Sequence, residues 1–287
     1  MNVDTPNPVS AEEAYNRASK KLTRSLVIMG VLEMLVIAIG ATLFYFSVQE
    51  GAVLPAMVGV VAMFLGIFVS AIFLIFLMFG LIKLQELFWK ETAEGLGYAY
   101  VKNPPITADA LMFREGHGRS TGHGLLGHLS DEHPFRFFQY SYVTGSGKSR
   151  QTHNFCVFEV SFSGTFPHLY LNNKHNKNLS GMKDMFLPRI TLPTEFEKQF
   201  SLYVPKGYEI EALELFTPDL LAQILDMKWK HDVELVQQKL YVFSERYITK
   251  REQLVEELSR LKTLTEYIAP KLDQSRLYTI GDLKHSL

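Results

Sequence analysis

Cysteine is almost absent from this chain. Cys156 is the only one, so no intramolecular disulfide can form, and such usage suits a reducing compartment. An excess of basic charge is missing too. The formal net charge is −1, which leaves no global positive field for nucleic acid. Over 25–82 charge of either sign nearly disappears, with Glu33 and Glu50 the exceptions. Lys and Arg are absent from the link Gln49–Gly51 between two apolar stretches. No nucleophile elbow is expected. Cys156 sits in an apolar strand pattern, where a thiol is inert filling.

What is present begins with those two stretches. Roughly 20 apolar residues cross the hydrocarbon core of a bilayer. Residues 25–48 match one span, and 52–82 match a second that is long enough to tilt. So short a link forces an antiparallel hairpin with both ends on one side. Lys20, Lys21 and Arg24 precede the first span, and Lys83 and Lys90 follow the second. The bias of basic residues puts both termini, and the soluble domain, on the cytoplasmic side. Ala62, Gly66 and Ser70 repeat every four residues, a small-residue stripe that lets another helix come close. Glu33 is the one carboxylate inside a span, a functional position by default. No second ionisable group accompanies it, so a proton relay has no partner. Ser10 with Glu13 reads as a capping box that opens a short helix in the arm 1–24.

From residue 96 the pattern changes to β-formers with period two. FRFFQYSYV (135–143), FCVFEVSF (155–162), HLYL (168–171), RITL (189–192) and FSLYV (200–204) read as strands. ELVQQKLYVF (234–243) is one bent strand or a tight pair. Thr217-Pro218-Asp219 starts a helix, with Thr as cap and Pro at the first position. The expected fold class is α+β: a transmembrane two-helix hairpin (25–95), then a mostly antiparallel β-sandwich or partly open barrel with one packed helix (96–246). A C-terminal amphipathic helix and tail follow (247–287). Leu254, Leu258, Leu261, Thr265 and Ile268 form a short heptad seam. That seam packs on its own domain or serves a partner or self-association; Pro270 is expected to end the helix.

Three motifs bear on chemistry. TGSGKS (144–149) imitates part of a phosphate-binding loop but has Tyr142 where glycine is required; it reads as a hairpin turn, and no nucleotide is expected. His117, His123, His128 and His133 lie in GHGRSTGHGLLGHLSDEH. Their intervals of six, five and five are unlike the tight spacing zinc prefers. They remain the metal candidates; otherwise no cofactor is expected. The aromatics of 135–142 have few basic neighbours and read as packing, not as a base-stacking platform.

LMFREG, GLLGHLS, FRFFQYSY, FCVFEVSFSGTFPHLYLNN, ITLPTEFEKQFSLYVPKGYEIEALELFTPDLLAQIL and VELVQQKLYVF, in that order over about 111–243, resemble the bacterial membrane-protein group carrying a domain of unknown function of the 3137 type. The resemblance implies an inner-membrane protein with paired spans and no assigned activity. The leading expectation is a membrane-anchored cytosolic binding or scaffold module. Its partners are the lipid bilayer and a protein, with no nucleic acid. The alternatives are a metal-dependent membrane enzyme using 117–133 and a lipid-headgroup recognition domain.

Overall fold

The structure is a computed structural model that describes residues 8–51, 53–106, 110–176, 188–245 and 247–274. It divides into two compact units, Met1–Thr92 and Ala93–Leu287.

The first unit is built from α1 (Pro8–Gln49) and α2 (Val53–Gly95). Proline is tolerated in a first helical turn because its missing N–H would be unpaired there anyway. α1 is already helical at Pro8, so Ser10 and Glu13 lie within the described helix. The expected short arm helix is therefore the beginning of a single long one. Both helices are long and apolar enough to cross a membrane. Their apolar side chains face outward: Ile39 is 60% exposed, Phe64 70% and Phe76 72%.

The second unit is α+β with one open antiparallel sheet. Its strands are β1 (Ala99–Lys102), β2 (His117–Ser130), β3 (His133–Thr144), β4 (Gln151–Asn173) and β5 (Arg189–Ile190), then β6 (Phe200–Tyr203) and β7 (Asp232–Ser244). The order is β1-β2-β3-β4-β6-β5, with β7 also paired to β4. β4 explains why one sheet forms where two facing sheets were an option. Residues 155–162 and 168–171 belong to this single 23-residue strand, so Ser163 and Gly164 do not break it. Its first part pairs with β3, its last four residues pair with β6, and β7 runs beside both parts. β7 is likewise one bent strand. Gln237 has φ +57° where the register against β4 slips near Phe166, the mark of a bulge.

Alternation along the strands gives the sheet two faces. One carries Phe138, Tyr140, Tyr142, Phe155, Val157, Tyr241 and Phe243, closed over by Ala110–Phe113. The 3-10 turn Leu111–Arg114 drives Phe113 edge-on into Tyr140, Tyr241 and Phe243, at 5.1, 5.6 and 6.0 Å between ring centres. Against the other face lie α4 (Glu209–Leu215), α5 (Pro218–Asp226) and α6 (Arg251–Gln274). There Leu171, Val233 and Leu240 meet Leu220, Ile224, Leu264 and Ile268. Thr217 caps α5 by accepting from the Leu220 amide at 3.5 Å. A short turn of helix, α3 (Thr194–Glu197), precedes β6. The TGSGKS segment is the β3–β4 turn, with Gly145 and Gly147 at φ +70° and +54°, values that suit glycine best.

α6 continues through Pro270, contrary to the expected stop. Proline removes one helical hydrogen bond and crowds the preceding turn. Beyond it, Leu272 is 1% exposed and Asp273 is tied to the sheet, so tertiary contacts hold the last turn in place.

Candidate functional site

The polar groups most deeply buried in the second unit lie along β7 and the adjoining part of β4. Glu234 and Asp232 are two apart on β7, hence on one face, and are 0% and 2% exposed. Glu234 Oε1 accepts from the Leu111 amide at 2.8 Å and contacts His168 Nε2 at 2.6 Å. Its Oε2 has no partner among the described residues. Asp232 Oδ1 accepts from the Asn173 amide at 2.6 Å. Burial first, then the charges of Asp232 and Glu234, push the Tyr170 hydroxyl well above its ordinary range. Nearby, Glu159 meets Lys239 at 2.9 Å and Arg136 at 3.6 Å. Buried carboxylates require such partners, because removing them from water unpaired is costly.

A second cluster fastens α6. His133 Nε2 contacts Asp273 Oδ2 at 2.9 Å and its Nδ1 contacts Ser130 Oγ at 2.7 Å. Asp273 Oδ1 accepts from both the amide and the hydroxyl of Ser163 at 3.0 Å. Near the start of the helix His231 Nε2 contacts Glu257 at 2.9 Å. Burial alone would raise the Asp273 carboxyl, but the Ser163 bonds and His133 outweigh it and hold it below its usual range. Glu257 is held low in the same way, with burial outweighed by His231, Arg260 and Lys230. A depressed carboxylate stabilises the fold above its unfolded pKa, and that stability is lost as pH falls through the folded pKa. The unfolding midpoint is therefore expected to hold from neutral pH to about 5 and to drop between about pH 5 and 3. Asp273→Asn is expected to make that drop shallower, as read by urea titration of the full chain in detergent across this range.

The four histidines of 117–133 do not converge. All but His133 belong to β2, where His117 lies opposite Val143 and His128 opposite Pro134, at opposite ends of the hairpin. His123 bonds Tyr100 at 2.8 Å, and His133 faces α6. Among the described residues no group of three His, Cys, Asp or Glu is placed to hold a metal. Leu254, Leu258, Leu261 and Ile268 are 0, 8, 1 and 3% exposed. Of the two uses open to the seam, packing on its own domain is the one observed. Cys156 is buried, and that burial pushes its thiol up to about 12.

In the first unit, Gly66 faces Val36: a Cβ added there would lie 3.2 Å from Val36 Cγ1. Ala62 is on the same helix, α2. Glu33 and Ser70 line a groove with Gly66. The sequence reading missed the tighter approach at Gly40, where an added Cβ would meet Met63 and the Gly59 carbonyl at 3.2 Å. The glycine on each of two apolar helices was the available signal.

Two arrangements relevant to nucleophilic chemistry were also missed. Gly118-Arg119-Ser120-Thr121-Gly122 matches G-x-S-x-G, yet it lies within β2 and not in a strand-to-helix turn. Ser120 Oγ bonds Ser141 Oγ at 2.8 Å. The other is the chain Ser130–His133–Asp273, whose carboxylate lies 140 positions from His133 and so leaves no motif.

No family model matches the chain, and no curated protein matches it. One solved structure, the mycobacterial trehalose monomycolate transport factor A (TtfA), is 12% identical over 64% of this chain and 96% of its own, with a TM-score of 0.45. A likeness that loose carries no functional conclusion.

Proposed function

We propose that this chain is a membrane-anchored, non-enzymatic binding or scaffold module of the inner membrane. α1 and α2 cross the plasma membrane as an antiparallel hairpin, with spans of about 25–48 and 52–82 and both termini in the cytoplasm. The observation that carries the anchor is the outward-facing apolar surface of both helices, which is unfavourable in water and suited to lipid. The scaffold reading is supported by how the second unit uses its carboxylates. Glu234, Asp232 and Asp273 each hold a backbone amide of another segment. These bonds tie the fold together.

The test is extraction of the full chain from native membranes in mild detergent, followed by mass spectrometry of bound proteins, lipids and metals. A stoichiometric protein partner is the expected result. Bound metal with no partner would contradict it and favour an enzyme.

A second reading has one observation behind it. In the chain Ser130–His133–Asp273 a hydroxyl meets a base that is oriented by a carboxylate, as nucleophilic catalysis needs. Labelling of the native protein by a fluorophosphonate, abolished in Ser130→Ala, would support acyl transfer there. No labelling removes the idea.

A further inference from the structure

The groove between α1 and α2 is lined by Met29, Leu32, Glu33, Leu65, Val69 and Phe73, among others, and encloses about 680 Å³. Its wall is apolar apart from Glu33, Ser25 and Ser70. Glu33 is half-buried and forms no hydrogen bond or ion pair among the described residues. The chain supplies no remedy of its own. Between Arg24 and Lys83 it has no basic residue, so neither helix can bring a cation to Glu33 inside the bilayer. Glu33 lies eight residues beyond Ser25, about 12 Å along the helix axis, too deep for simple contact with the headgroup layer.

We propose that this groove receives a membrane-spanning helix of another protein, one that carries a Lys, Arg or His at the depth of Glu33. Charge complementarity selects that occupant. Ionisable groups inside a bilayer pair with one another, and Glu33 is a lone acid in an apolar trough. A second copy of this chain would bring a second Glu33 and no cation. An acyl chain would fill the volume and leave the carboxylate unpaired. Ser70 and Gly66 form part of the opposite wall, where Gly66 lets α2 come close to Val36. The inference rests on α1 and α2 spanning the membrane.

The experiment places a photo-crosslinking phenylalanine analogue at Leu65 in the full-length protein, with a control at Phe76, which does not line the groove. Native membranes are irradiated and the adduct is sequenced. The expected result is a Leu65 adduct to a spanning segment with a basic residue in its apolar run. Its yield should fall about tenfold in Glu33→Ala, the scale of an interhelical polar bond, and persist in Glu33→Asp. A yield unaffected by Glu33→Ala, a partner segment without a basic residue, a self-adduct, lipid adducts alone or no adduct each overturn the proposal. A carbonate wash of the same membranes separates the two claims. Release of the chain by carbonate refutes the anchor itself, whereas retention without a charged partner refutes only the docking.

Discussion

Glu234→Ala is expected to destabilise the second unit by about 2–3 kcal/mol, within the range for leaving a buried hydrogen-bonding group unpaired. The carboxylate is 0% exposed and joins β7 to two distant points: the Leu111 amide that starts the 3-10 turn, and His168 on β4. Its loss leaves that amide buried and unpaired, which by itself costs about 1–3 kcal/mol. Phe113 sits two residues on, within the aromatic cluster of β3 and β7, so the turn's packing loosens as well. Glu234→Gln keeps one carbonyl acceptor and is expected to lose less. Thermal unfolding of the full chain in mild detergent measures both; equal stability of Glu234→Ala and the parent would show that the bond to Leu111 holds nothing.

Leu261→Ala is expected to cost about 2–5 kcal/mol, the range for a buried leucine that leaves a cavity. Leu261 is 1% exposed on α6, between Leu258 and Leu264. Val255→Ala, on the same helix but 44% exposed, is expected to change stability by about 0.5 kcal/mol or less. The contrast separates the two uses a heptad seam can have. A seam reserved for a partner would leave Leu261→Ala as stable as Val255→Ala and weaken association instead.

The parts of this fold that are local in sequence were legible. Period-two aromatics marked β3, Thr217-Pro218 marked the start of α5, and the uncharged runs marked both long helices. The glycines of TGSGKS marked a turn because a positive φ suits them. The misreadings arose where a local signal was outvoted. Pro270 normally stops a helix, but Leu272 and Asp273 beyond it are held by the sheet. Residues 155–162 and 168–171 read as separate strands, but β7 pairs with β4 on both sides of the gap between them. Ser10 resembled a cap, but the chain is already helical at Pro8. The short helices α3 and α4 carry no strong periodic signal within four and seven residues.

The polar clusters were not legible, for a different reason. His133 meets Asp273 across 140 positions, and Glu234 meets Leu111 across 123. Such pairs are created by strand register and helix docking, which leave no spacing to read. The histidine run showed the converse. His117, His123 and His128 were dispersed because each residue of extension along β2 adds about 3.4 Å, and His133 falls on β3.

The central claim is a chain anchored by two spans, with its β-rich unit in the cytoplasm. Membrane-impermeant maleimide labelling of single cysteines in intact cells tests it most directly. Cys156 provides a silent background, because it is buried and its thiol is pushed up to about 12, so little reactive thiolate exists at neutral pH. Glu50→Cys, in the link between the helices, is expected to label from outside. Lys148→Cys, in the β3–β4 turn, is expected to label only after lysis. Labelling of Lys148→Cys in intact cells, or protection of Glu50→Cys, would contradict the account.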